Sequence, residues 1–157
     1  MRRLIILIMT VMLVSLTGCG NFSEITVNSA NLVAIKPYGF RALDVDIALE
    51  VDNPAMQLKL SNMQAVVKRS GKVIGTVTVA PFTLKARSVK TYDLTARMAL
   101  DESVSLLSLM MSLDDKFIDD CVIDVTVKGQ IRGGLSKTIT LNDIPLKKLI
   151  NYAETNK

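Results

Sequence analysis

Large apolar side chains recur at every second position through most of the chain. From Leu43 to Asp52 the odd positions (Leu43, Val45, Ile47, Leu49, Val51) are all apolar, and the even ones are acidic apart from Ala48. Successive side chains of an extended chain point to opposite faces, so this segment predicts an antiparallel strand with one buried and one wet face. Asn53-Pro54 ends it, since proline lacks the ladder donor and the preceding asparagine favours a turn. Met56, Leu58 and Leu60 resume the alternation, and Val66-Val67 lead through Ser70-Gly71-Lys72 into Val73–Val79, a predicted hairpin. Pro81 sets off Phe82-Thr83-Leu84, and Leu94, Ala96, Met98 and Leu100 fall in phase on another strand. Cys121, Ile123, Val125 and Val127 open a later strand; a Gly133-Gly134 turn then precedes Leu135–Leu141. Upstream, Ile25–Val27 and Asn31–Ile35 read as a first strand broken at Ser29-Ala30.

One segment changes period. Between Asp101 and Leu113 the polar residues Asp101, Ser105, Ser108 and Ser112 recur at helical spacing among Val104, Leu106, Leu107, Leu109, Met110 and Met111. That pattern predicts a helix with a narrow wet stripe, opened by acids and stopping before Asp114-Asp115, which suit a helix C-terminus badly. The tail Asp143–Ala153, with Ile144, Leu146, Leu149 and Ile150, predicts a short amphipathic turn or helix. About seven strands with turn signals every eight to twelve residues predict an all-β, antiparallel β-sandwich with one inserted helix.

The first eighteen residues have a different character, with twelve of them apolar. Arg2 and Arg3 precede a run from Leu4 to Val14 interrupted by Thr10. A helix needs about 20 apolar residues to span a bilayer, so the run reads as an export signal and not as a membrane anchor. At its end stand Leu16, Thr17, Gly18 and Cys19, which resemble the lipobox of bacterial lipoproteins. That resemblance implies cleavage before Cys19, diacylglycerol on its thiol and an acyl group on its new amine. More than one acyl chain makes membrane attachment stable, at about 0.8 kcal/mol per buried methylene. The expected organisation is therefore a lipoprotein signal peptide over 1–18, a lipidated linker over 19–24 and a domain over 25–153. No aspartate follows Cys19, where Gly20 stands. The resemblance then implies the outer membrane, with the domain facing the periplasm.

Composition narrows the chemistry. The chain of 157 residues contains no histidine and no tryptophan, and 4% of it is aromatic. Ser-His-Asp and Cys-His catalysis, histidine metal sites and imidazole switches are excluded, and stacking platforms are poorly supplied. Loss of Arg2 and Arg3 with the leader lowers the net charge from +4 to +2. The remaining bases are scattered along predicted strands, so no nucleic-acid stripe emerges. The expected partners are the membrane, through the lipid, and envelope proteins; no cofactor is called for beyond the lipid on Cys19.

The order of elements, above all the strand ending Val51-Asp52-Asn53-Pro54 and the hairpin at Ser70-Gly71-Lys72 with Gly75 shortly after, resembles the late embryogenesis abundant type 2 family, also called the WHy domain. Members usually carry a second asparagine where Ala55 stands here. The resemblance covers about Ile25–Ile150 and implies an immunoglobulin- or fibronectin-type-III-like fold, a role tied to desiccation or other stress, and no catalytic residues. Asn53, Pro54, Gly71 and Gly75 are then fold residues.

Three groups invite a chemical reading. Asp114, Asp115, Asp119, Asp120 and Asp124 supply oxygens of the kind calcium takes, but their spacing is not that of an EF-hand loop, so a solvated connector is expected. Leu106, Leu107, Met110 and Met111 could line a groove for an acyl chain or apolar peptide, against the simpler role of plugging the end of the sandwich. Cys121 lies in the apolar phase of its strand and reads as a small buried hydrophobe. No Ser-x-x-Lys or Gly-x-Ser-x-Gly pattern occurs, and the expected role is non-catalytic. It would be binding or shielding at the envelope, with a carrier or sensor of apolar ligands and an accessory subunit of an envelope complex as alternatives.

Overall fold

The computed structural model describes residues 25–112 and 114–147. The lipobox Leu16–Cys19 and the tail beyond Lys147 lie outside these residues. The strands are β1 (Thr26–Tyr38), β2 (Ala42–Asn53), β3 (Leu58–Arg69), β4 (Lys72–Val79), β5 (Phe82–Leu84), β6 (Ser88–Leu100), β7 (Cys121–Ile131) and β8 (Ser136–Pro145). Two short helices, α1 (Leu106–Ser112) and α2 (Asp115–Asp119), lie between β6 and β7. All pairings are antiparallel, in the order β1-β2-β6-β4-β3-β7-β8, with β5 on β3. The all-β class expected from the alternation is present, and the ladder forms one curled sheet of eight strands around a single core.

Alternation decides which side chains enter that core. On β2 every second residue from Leu43 to Asn53 is buried; on β7 Cys121, Ile123, Val125 and Val127 are almost wholly so. Both sets join one apolar cluster with Leu58, Leu60, Leu84 and Met98. Burial at this scale contributes about 1.5–3 kcal/mol for each large side chain.

Several local expectations need correction. The first strand is continuous and passes Ser29-Ala30 by irregularities between Val27 and Ser29 and between Leu32 and Ala34, which re-aim side chains without ending the ladder. Met56 is exposed in a turn, since Asn53 holds its carbonyl, and β3 begins at Leu58. The helix starts five residues later than its polar spacing predicts. Asp101 folds back on the backbone N–H and hydroxyl of Ser103, and Ser105 caps α1 by accepting the N–H of Ser108 at 3.3 Å. Asp114 caps the second helix by accepting the N–H of Phe117 at 2.7 Å. This local competition for backbone donors makes two helices where one was expected. Asp143 and Ile144 belong to β8, paired with β7, and not to a helical tail.

At the β3–β4 hairpin, Ser70 and Gly71 take φ of 51° and 77°. A two-residue loop with both φ positive follows the right-handed twist of the strands it joins, and glycine adopts that conformation without a Cβ penalty.

Candidate functional site

Strand register sorts the loops to two ends of the curl. Thr26 pairs with Asp52, Asn53 with Ser88, and Leu58 with both Leu84 and Ile131, so these residues share one end. Tyr38 pairs with Ala42, Arg69 with both Lys72 and Cys121, and Gly75 with Leu100, which gathers the other end together with α1 and α2. The 13 residues of β1 run between the two ends, about 40 Å at 3.3 Å per residue. Ile25, the first described residue, lies at the former, so residues 1–24 join the domain there. We call it the proximal end and the helical one the distal end.

At the distal end Leu109, Phe117 and Leu146 are buried and close the core. Phe117 also lies under the Arg69 guanidinium, 4.5 Å from its ring centroid. Beside this plug an open groove of about 520 Å³ runs between the β1–β2 turn and the segment entering α1, lined by Gly39, Phe40, Arg41 and Glu102 through Leu107. Phe40 is 98% exposed, Leu107 68% and Met111 81%. Leu107 and Met111 stand four residues apart on α1 and so share a face. Of the four sequence candidates, Leu106 packs partly against the core and lines the groove, Leu107 lines it and Met111 lies outside it; the Met110 side chain is not among those described. Phe40 was missed, because a lone phenylalanine after Gly39 has no periodic neighbour to mark it.

At the proximal end the buried polar residue is Asn53. Its amide nitrogen donates to the carbonyls of Met56 and Lys85, and its oxygen accepts the Ala55 N–H, each at 3.1 Å. Arg87 N–H donates to the Ala55 carbonyl, so the turn after β2 and the turn before β6 are clamped together. Tyr92 reinforces the clamp: its hydroxyl accepts the Lys85 N–H, and its ring lies 5.7 Å from that of Phe82. Pro54 is exposed in the turn and Gly71 sits in the hairpin loop. A Cβ on Gly75 would stand 2.7 Å from the Ala99 carbonyl oxygen.

The acidic cluster disperses in three dimensions. Asp114 caps α2, Asp119 meets Lys147, Asp120 meets Arg69, and Asp124 pairs with Lys68 and accepts the Asp143 N–H. Among the described residues no three such side chains gather to hold a metal. The connector from Asp115 to Asp119 is helical. Burial pushes the Cys121 thiol up, which disfavours the thiolate.

The outer face of β1, β2 and β6 carries cross-strand polar ladders. Arg97 donates to both Asp44 oxygens, at 2.7 and 2.8 Å, and stacks 3.7 Å from the Tyr38 ring centroid. Lys36 and Thr95 both donate to Asp46. These donors hold the Asp44 and Asp46 carboxyls below the usual range, and Lys68 does the same for Asp124. A carboxylate whose folded pKa is lowered stabilises the fold above its unfolded pKa, and that stability is lost as pH falls through the folded value. Urea midpoints should therefore hold steady from neutrality to about pH 5 and drop below about pH 4. Asp44→Asn and Asp124→Asn should flatten that drop.

Among known structures the fold is similar to a protein from Archaeoglobus fulgidus, with 14% identity over 74% of this chain and 97% of that one and a TM-score of 0.41. It is also similar to a β-glucuronidase of glycoside hydrolase family 2, with 8% identity over 73% of this chain and 11% of that one, TM-score 0.35. A third is the GAE domain of yeast GGA1, with 9% identity over 76% and 97% of the two chains, TM-score 0.32. No curated protein matches the sequence. The late embryogenesis abundant family model matches residues 48–148, from the middle of β2 past the end of β8, and with it the Asn53 clamp, the Ser70-Gly71 hairpin and both helices. The chain belongs to the late embryogenesis abundant family.

Proposed function

We propose that this chain is a non-catalytic, lipid-anchored envelope protein of a stress-related family, and that it acts by engaging apolar protein surfaces through the distal groove. The observation that carries this reading is the polarity of the domain. The leader and Cys19 join it at one end, whereas Phe40, Leu106 and Leu107 line an open groove at the other, about 40 Å away along β1. An anchored domain of this shape presents its groove away from its own membrane. An open groove rimmed by exposed apolar side chains suits a protein surface better than an enclosed acyl chain. Confinement near a membrane also raises the effective concentration toward partners held there.

Crosslinking in intact cells tests both parts. Cys19→Ala should move the chain out of the membrane fraction, and unchanged fractionation would refute the lipid anchor. Phe40→Ser combined with Leu107→Ser should leave fractionation intact and remove the crosslinked species. A crosslinking pattern identical to wild type would refute the groove as the contact surface.

A further inference from the structure

We infer that the proximal end is a docking surface for anionic lipid headgroups, which holds the domain upright on the bilayer its N-terminal segment enters. Three turns meet there: Pro54–Gln57 after β2, Lys85–Arg87 before β6 and Arg132–Leu135 before β8. Within these turns and the last three positions of the adjoining strands stand six bases, Lys59, Lys85, Arg87, Lys90, Arg132 and Lys137, all exposed, against the single acid Asp52. The bases are far apart in sequence, and the register of six strands brings them to one end.

Two further features distinguish this end. The salt bridges Lys36–Asp46, Lys68 with Asp124 and Asp143, Arg69–Asp120, Arg97–Asp44 and Lys147–Asp119 lie elsewhere. The charges of Lys59, Lys85, Arg87 and Arg132 are not neutralised by any of these carboxylates. Met56 and Leu135, 57% and 77% exposed, project from two of the same turns. Exposed apolar tips ringed by cations fit a bilayer surface: the cations meet phosphates, and the tips enter the boundary between headgroup and acyl chain. Chain connectivity adds direction, since the segment that carries Cys19 joins the domain at this end.

The inference extends the anchored reading but has its own test. The chain is incubated with vesicles of phosphatidylcholine, with or without phosphatidylglycerol, and amide exchange is followed at the three turns. Acylation in cells plays no part in that assay, so it can fail while the Cys19 reading stands, or hold while that reading fails. With phosphatidylglycerol the turns should exchange about tenfold more slowly, and added salt should reverse the protection. Lys85→Glu, Arg87→Glu and Arg132→Glu should each weaken the contact about fivefold. Unchanged exchange of the β2 amides verifies that these variants are folded. Equal exchange on the two vesicle types, or protection that survives the triple reversal in folded protein, overturns the inference.

Discussion

Asn53→Ala is expected to lower the free energy of unfolding by about 3 kcal/mol, an effect above that of most single substitutions. The side chain is 1% exposed and makes three hydrogen bonds, so its removal leaves two carbonyls and an N–H to find other partners in a closed site. The cost extends beyond the local turn. The bond to Lys85 spans 32 residues and fixes the turn before β6 against the end of β2. Asn53→Asp separates the two halves of the role: a carboxylate still accepts from Ala55 but faces the Met56 and Lys85 carbonyls with like partial charge. It should therefore destabilise more than alanine. Guanidinium titration of the three proteins checks the order, and a loss under about 1 kcal/mol for Asn53→Ala would show that water replaces the amide without penalty.

Gly75→Ala is the second large effect, a loss of about 2 kcal/mol with the hairpin still formed. Its cause is a collision and not a dihedral, since Gly75 has no positive φ among those recorded for the chain. An added Cβ would lie 2.7 Å from the Ala99 carbonyl oxygen, and that oxygen belongs to backbone held in the ladder with β2 and β4. The strands must separate to admit the methyl group. Native-state hydrogen exchange should show the opening concentrated on Gly75–Val79 and Ala96–Leu100, the only stretch where β4 and β6 pair. Uniform loss of protection across β1 and β8 would contradict this account.

Elements carried by local pattern were legible in the sequence. The Leu43–Asp52 alternation marks β2 because period two is the geometry of a strand, and the Ser70-Gly71 step marks a hairpin because the turn demands positive φ. The helical segment was legible in kind but not in extent. Asp101, Ser105 and Asp114 each bond to nearby backbone, and polar spacing alone does not say which of them is inside a helix and which is a cap. The groove was half legible: Leu106 and Leu107 stand out on an apolar helix, whereas Phe40 joins them only because the β1–β2 turn folds to the same end.

The sequence by itself therefore determined the all-β class, the position of the hairpin, the apolar character of the first eighteen residues and the absence of histidine, since each depends on residue identity or short spacing. Tertiary structure alone decided where charge and exposure accumulate. Lys59, Lys85, Arg87, Lys90, Arg132 and Lys137 are scattered along the chain and form no run, yet antiparallel register returns the strand ends that carry them to one place. The acids of the helical connector are nearly contiguous in sequence and are drawn apart to a cap and separate cationic partners. Charge acts through space, and in a curled sheet distance through space depends on strand pairing more than on sequence separation.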